Sequence, residues 1–312
     1  MARQWWQAAR AVTAVAAVMV TLACGSADRP DPAPSTPPAM PSSGSGAVQI
    51  GNRQVNVHVP DTYDPARPAP LILGLHGYTS NPQELEMYFG LRPEADRRGF
   101  IFVYPDGSTD DRGHRFWNAT DACCAFGSDK PDDSGYLSEL ITTIQASYRI
   151  DPARVYLIGH SNGGFMSFRM ACDHADQIAA IVSLNGATWN DTGQCRPSEP
   201  VSVLAVHGSV DETIAFGGGA NGRHTYPSAA STVAQWVGFN GCAATARDAA
   251  ALDLIADLPA AETSVRTYEQ GCAGGSTVQL WTINGGVHVP QLGPGFTPAV
   301  TDFLLAQSKP AR

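Results

Sequence analysis

The sequence is short of charge, and of positive charge above all. Only 16% of its 312 residues are charged, and 20 Lys and Arg stand against 29 Asp and Glu, for a net charge of −9. A nucleic-acid partner needs a basic footprint, which this balance denies. No apolar run reaches the ~20 residues of a membrane-spanning helix; the run Ala11–Ala23 stops at 13. There is no internal repeat, which excludes solenoids and propellers. What is present is the raw material of a core: 43% hydrophobic residues and six Trp. That excludes a coiled coil and a wholly disordered chain. Two further features need an explanation, an excess of Gly (31) and Pro (23) and an odd cysteine count of seven.

The N-terminus accounts for part of both. Residues 1–23 carry Arg3 and Arg10, no acid, and the short apolar run, which together read as an exported signal peptide. The run ends Leu22-Ala23-Cys24-Gly25. A small residue before a Cys at this point resembles a bacterial lipobox, in which the Cys becomes the lipidated first residue of the mature chain. The alternative is plain cleavage and free secretion. Residues 24–46 hold six Pro among Ser, Gly and Ala and lack large aliphatic side chains except Met40, so this segment reads as a tether. The chain thus divides into a signal peptide (1–23), a lipidated Cys24 with a Pro/Ser-rich linker (24–46) and one domain (47–312). Membrane contact is expected only through the N-terminal anchor.

Removing Cys24 leaves Cys123, Cys124, Cys172, Cys195, Cys242 and Cys272, an even set suited to disulfides in an exported protein. Cys242 and Cys272 flank one insertion and are expected to pair. A Cys123–Cys124 bridge is disfavoured, because adjacent Cα atoms lie about 3.8 Å apart, below the usual disulfide range of about 4.4–6.8 Å.

Hydrophobic periodicity predicts a hairpin around Gly51-Asn52, then short apolar strands alternating with helices. Strands are expected at Pro70–Leu75, Phe100–Tyr104, Arg154–Ile158, Ile178–Leu184, Val201–Val206 and Val278–Ile283. Helices are expected over residues 84–98, 134–148 (with Asp133 as N-cap), 162–172, 229–237 and 298–306. Residues 108–132 read as a long loop. Continuous apolar strands between helices imply a mostly parallel sheet covered on both faces, with an antiparallel N-terminal hairpin.

The strongest motif is Gly159-His160-Ser161-Asn162-Gly163-Gly164, which matches G-x-S-x-G between a strand and a helix. That setting is the nucleophile elbow of the α/β-hydrolase fold. A Ser needs a base to be a nucleophile at neutral pH, and in this fold the acid and the His follow the Ser in sequence. Of His174, His207, His224 and His288, only His288 follows the last strand by a short Gly285-Gly286 loop, at the strand end where Ser161 also lies. The acid is expected after Val201–Val206, where Asp211 is the first choice and Glu212 the second; Asp253 and Asp257 fall in the cysteine-flanked insertion. Backbone N–H groups must meet the negative oxygen of a tetrahedral intermediate. Those of Asn162 and Tyr78, the latter after His76-Gly77, are the candidates. His76 reads as a structural residue rather than a second base. No metal or organic cofactor is implied.

These motifs, with Val103-Tyr104-Pro105-Asp106-Gly107, Trp117-Asn118, Cys123-Cys124, Asp132-Asp133, His207-Gly208, Asn240-Gly241-Cys242, Gly271-Cys272 and Gly285-Gly286-Val287-His288, occur in one order. Together they resemble the bacterial esterase/polyhydroxybutyrate depolymerase family, close to carbohydrate esterase family one with its feruloyl and acetylxylan esterases, and in particular an exported actinobacterial lipoprotein type. The resemblance spans roughly residues 48–308 and implies a serine esterase with a Ser161, Asp211, His288 triad, acting on feruloyl, acetyl or hydroxybutyrate-type esters of a small molecule, polysaccharide or polyester. Family members often carry Trp-Pro soon after the catalytic His, whereas Val289-Pro290 stands here; Trp117, Trp189, Trp236 and Tyr78 are the aromatics left to wall a substrate site or fill the core. A peptidase on the same fold and a non-catalytic surface lipoprotein are the competing readings. The first would bring a separate propeller domain, and the second leaves a complete, ordered triad without a use.

Overall fold

A computed structural model describes residues 44–127 and 129–310 of the chain. The signal peptide, Cys24 and most of the linker lie outside the described residues. The linker as read from sequence ends three residues late, because Gly44–Gly46 already belong to the first strand.

The described chain opens with β1 (Gly44–Ile50) and β2 (Arg53–Val59), an antiparallel hairpin. Its turn uses Gly51 at φ +55°, a conformation that suits glycine. Next come β3 (Ala69–Leu75), α1 (Pro82–Phe89), α2 (Leu91–Arg98) and β4 (Ile101–Val103), then a long loop holding the two-residue strands β5 (Ser108–Thr109) and β6 (Arg115–Phe116). The chain continues through α3 (Asp133–Ser147), β7 (Ile150–His160), α4 (Asn162–Asp173), β8 (Ala180–Leu184) and β9 (Ser202–Gly208). A small hairpin, β10 (Gly219–Asn221) and β11 (His224–Tyr226), precedes α5 (Ala229–Phe239). The last elements are β12 (Arg247–Leu252), β13 (Thr263–Tyr268), β14 (Val278–Ile283) and α6 (Phe296–Leu305).

Ten strands form one sheet in the order β1-β2-β4-β3-β7-β8-β9-β14-β13-β12. The six from β4 to β14 run parallel, and the strand pairs at both edges are antiparallel. This is the α/β-hydrolase architecture expected from the sequence. Side chains alternate across a strand, so each central strand feeds two cores. Leu71, Leu73, Val155, Leu157, Val203 and Ala205 meet Phe165, Phe168 and Trp236 on one face. Ile72, Tyr156, Ile158, Leu204 and Val206 meet Leu85, Phe89, Phe100, Phe296 and Leu304 on the other. Among the described residues, no helix is long and apolar enough to cross a membrane.

Several local expectations need correction. The helix expected over residues 84–98 is two helices, because Gly90 at φ +58° ends α1 and begins α2. Asp132, not Asp133, caps α3, accepting from the Gly135 N–H at 2.8 Å. Asp133 instead turns inward and accepts from Ser108 Oγ and the Asn118 N–H, both at 2.8 Å, which ties the long loop to the helix. The insertion between Cys242 and Cys272, to which no element is assigned from sequence, supplies β12 and β13 to the sheet edge.

Cys242 pairs with Cys272 as expected, and Cys172 with Cys195. The bridge disfavoured on sequence grounds, Cys123–Cys124, is also formed. It spans a cis peptide, with the Cα atoms 3.0 Å apart, outside the usual range on which the expectation rested. The Cys172–Cys195 bridge ties the end of α4 to a segment 23 residues away, and closing a loop of that length stabilises a fold by about 3 kcal/mol. Replacing both residues by Ala is expected to lower stability by that amount in urea unfolding monitored without reductant.

Candidate active site

β7 delivers the chain to Ser161, and α4 begins at the next residue. Reversing direction without a loop forces Ser161 to φ 52°, ψ −118°, a region that L-residues avoid. The Ser161 N–H donates to the Leu184 carbonyl at 2.8 Å, hanging the turn from the end of β8. The turn packs so closely against β3 that a side chain at Gly163 would run into the Leu75 carbonyl, and one at Gly159 into the Gly163 carbonyl. The glycines of the motif are therefore required by backbone-to-backbone contact.

The loop after β9 supplies Asp211. Its Oδ1 accepts from the backbone N–H groups of Thr213 and Ile214, at 2.8 and 2.9 Å. Its Oδ2 lies 2.8 Å from His288 Nδ1. Burial alone would push this carboxyl up; the His288 hydrogen bond and charge, with the two N–H donors, hold it below the ordinary carboxylate range. An ionised carboxylate only accepts, so Nδ1 of His288 carries the proton. That leaves Nε2 as an acceptor, and Ser161 Oγ lies 2.9 Å from it. The structure thus brings Ser161, His288 and Asp211 into one hydrogen-bonded line.

The alternatives considered from sequence lie elsewhere. Glu212 is exposed. His207 is buried and donates from Nε2 to the Ile214 carbonyl at 2.7 Å, closing the loop that carries Asp211. His224 pairs with Asp121 at the surface. Asp253, Asp257 and His174 take no part in the line.

The loop after β3 lies against the Ser161 turn, with Gly77 beside the Ser161 Cβ. His76 is fully buried and burial lowers its pKa. Its Nδ1–H donates to the Gly77 carbonyl at 2.8 Å, and its Nε2 accepts from the Gly107 N–H at 3.0 Å, the structural role expected of it. In a trans peptide C=O and N–H point opposite ways, so this bond turns the Tyr78 N–H away from His76. Among the described residues, the Tyr78 N–H has no backbone partner, and Asn162 is the first residue of α4, where an N–H has no partner within its own helix. Trp117 braces the two segments. Its indole N–H donates to the His76 carbonyl at 3.0 Å, and its backbone N–H and carbonyl bond the Asn162 side chain at 2.7 and 2.9 Å.

A cavity of about 360 Å³ opens over Ser161 and His288. Tyr78, Leu85, Tyr88 and Val289 form its apolar walls, and Ser80 and Glu84 give it one polar side. Tyr78 is the only one of the four aromatics weighed from sequence to line it. Trp117 and Trp236 are wholly buried and Trp189 nearly so, and all three belong to the core. Tyr88 was missed, since its helical spacing reads as ordinary core. Two further residues also escaped, His160 and Asn185. His160 sits in the motif itself; burial pushes its pKa down to about 4, and its Nε2–H donates to the His288 carbonyl at 2.8 Å. Among the described residues, no cluster of His, Cys, Asp or Glu is arranged to hold a metal ion.

Known proteins share this arrangement of chain. The model of the family described as Esterase PHB depolymerase matches residues 59–252. Feruloyl esterase B of Piromyces equi is 29% identical over 244 residues, which cover 76% of this chain but only 42% of that protein. Feruloyl esterase C of Emericella nidulans is 26% identical over 276 residues, 86% of this chain and 89% of that one. Among solved structures, the acetyl xylan esterase from Aspergillus awamori superposes with a TM-score of 0.58 at 16% identity, over 84% of this chain and 99% of that one. At that identity the likeness speaks for the fold alone.

The close approach at Gly163 can be tested directly. Gly163→Ala is expected to cost about 2–4 kcal/mol, because the obstructing atoms are backbone. Gly217→Ala, where nothing stands within 4 Å of the added carbon, is expected to unfold at the wild-type urea midpoint.

Proposed function

The chain belongs to the Esterase PHB depolymerase family, and from that premise we propose that it is a carboxylic-ester hydrolase whose chemistry runs through Ser161, His288 and Asp211. The observation that carries the reading is the unbroken line of hydrogen bonds from Asp211 through His288 to Ser161, at the floor of an apolar cavity. Ser161 Oγ attacks the ester carbonyl as its proton passes to His288 Nε2. Asp211 holds the ring in the required tautomer and stabilises the imidazolium. The N–H groups of Asn162 and Tyr78 receive the oxyanion. His288 then returns the proton to the departing alcohol, which leaves an acyl-enzyme on Ser161. Water, deprotonated by the same imidazole, releases the acid.

Of the feruloyl, acetyl and hydroxybutyrate esters that the family suggests, we place feruloyl-type acyl groups first. The cavity is larger than an acetyl group fills, and two tyrosines with Leu85 and Val289 offer flat apolar walls. Ser80 and Glu84, joined by a 2.7 Å hydrogen bond, give a hydroxyl-bearing acyl group an acceptor. We further propose that the protein is exported and anchored by a lipid on Cys24, on the strength of residues 1–24.

Ser161→Ala is expected to lower kcat on p-nitrophenyl and feruloyl esters by about 10⁴-fold or more, and to abolish labelling by a fluorophosphonate. Wild-type activity in that variant would reject Ser161 as the nucleophile. For the anchor, mass spectrometry of the mature N-terminus is expected to find an acylated Cys24; a free amino terminus at or after Gly25 would rule it out.

A further inference from the structure

His288 lies between β14 and α6 in a loop with no regular structure, and its neighbours do not hold it by packing. Val287 is 48% exposed and Val289 60%. Yet its ring must sit within tenths of an ångström of a productive position, since a misplacement of about 1 Å can cost on the order of 100-fold in rate. The loop is fixed instead through its carbonyls. The His288 carbonyl accepts from His160 Nε2–H at 2.8 Å and from Asn185 Nδ2–H at 2.7 Å. The Val287 carbonyl accepts from the same Asn185 amide at 3.1 Å.

Asn185 is the more informative of the two donors. It is fully buried and sits at φ +54°, just past β8. Its own N–H donates to the Val206 carbonyl at 2.9 Å. Its Oδ1 accepts from the Gly208 N–H at 2.8 Å, three residues before Asp211. The residue before it, Leu184, carries the carbonyl that receives the Ser161 N–H. One short segment at the end of β8 is thus bonded to the chain carrying each member of the line. The left-handed backbone is one that Asn tolerates, and only an amide offers both the acceptor for Gly208 and the donors for Val287 and His288.

We propose that Asn185, assisted by His160, is a positioning residue that sets the His288 ring between Ser161 and Asp211 by holding the His288 main chain. The proposal rests on the reading of Ser161 and His288 as nucleophile and base. Asn185 touches neither substrate nor the reacting atoms, so its loss acts on the chemical step and not on substrate binding.

Three variants test it: Asn185→Asp, which keeps the shape and the acceptor but faces two carbonyls with a carboxylate; Asn185→Gly, which keeps the backbone conformation without the amide; and His160→Phe, which fills the space without a donor. In folded protein, the Asn185 variants are expected to lose about 10- to 100-fold in kcat on a p-nitrophenyl ester, with KM within about twofold. His160→Phe is expected to lose kcat also. The rate at which a fluorophosphonate labels Ser161 should fall in proportion, counted against active sites by titration. Folded Asn185 variants with wild-type kcat and labelling rate would overturn the proposal, and so would failure of all three variants to fold, which would assign the contacts to the fold alone. Ser161→Ala run in parallel separates the two readings. If it retains activity, the nucleophile itself is wrong, whatever the Asn185 variants do.

Discussion

A single backbone turn governs the arrangement of this molecule. Ser161 occupies a left-handed conformation that costs roughly 1–3 kcal/mol, and such a turn persists only where its surroundings leave no alternative. The surroundings here are β7 on one side, a completely buried first turn of α4 on the other, and the ends of β3 and β8 beneath. The two hydrophobic cores clamp the sheet from both faces. The turn, in exchange, lifts the Ser161 hydroxyl to the edge of the sheet and aims the start of α4 at it, where the field of a helix N-terminus favours negative charge.

Charge is distributed sparingly around that turn. Three imidazoles, the buried His76 and His207 and the half-buried His160, are held below the ordinary histidine range by desolvation. Each stays neutral and donates one N–H to a backbone carbonyl, of Gly77, His288 and Ile214 respectively. Those carbonyls lie on the loops that carry Tyr78, His288 and Asp211. Neutral rings serve as rigid struts without adding positive charge beside His288. The one buried anion of the site, Asp211, finds three donors, so its ionised form is stabilised where it faces the imidazole.

How much of this could be read from the residues depended on the range over which each feature is decided. Ser161 follows the end of a strand directly, and Asp211 and His288 follow strand ends by short loops; strand ends are visible as apolar runs, so local reading sufficed to bring the three together. The two-faced sheet followed from the same runs. Asn185 was invisible because its importance lies in a backbone angle and in partners at positions 206, 208, 287 and 288; in Ser183-Leu184-Asn185-Gly186 it looks like an ordinary turn residue. β12 escaped because Arg247–Leu252 is rich in Ala, a poor strand former, and is recruited by pairing with β13. Gly90 split a helix whose apolar spacing ran on without a break. The Cys123–Cys124 bridge lies outside the usual Cα range of disulfides, so an expectation drawn from that range missed it.

The line of hydrogen bonds also has a consequence for when this chain becomes competent. Ser161 and His288 are 127 positions apart, and Asp211 and His288 are 77. They meet only after β14 has paired alongside β9, a closure between distant parts of the chain. Contacts of such range come late and cooperatively. If Ser161 and His288 act as we propose, a nascent or partly opened molecule, even one with its elbow and first core in place, holds a serine without a base, and hydrolysis then reports completed folding, silent in every intermediate that lacks the last strand.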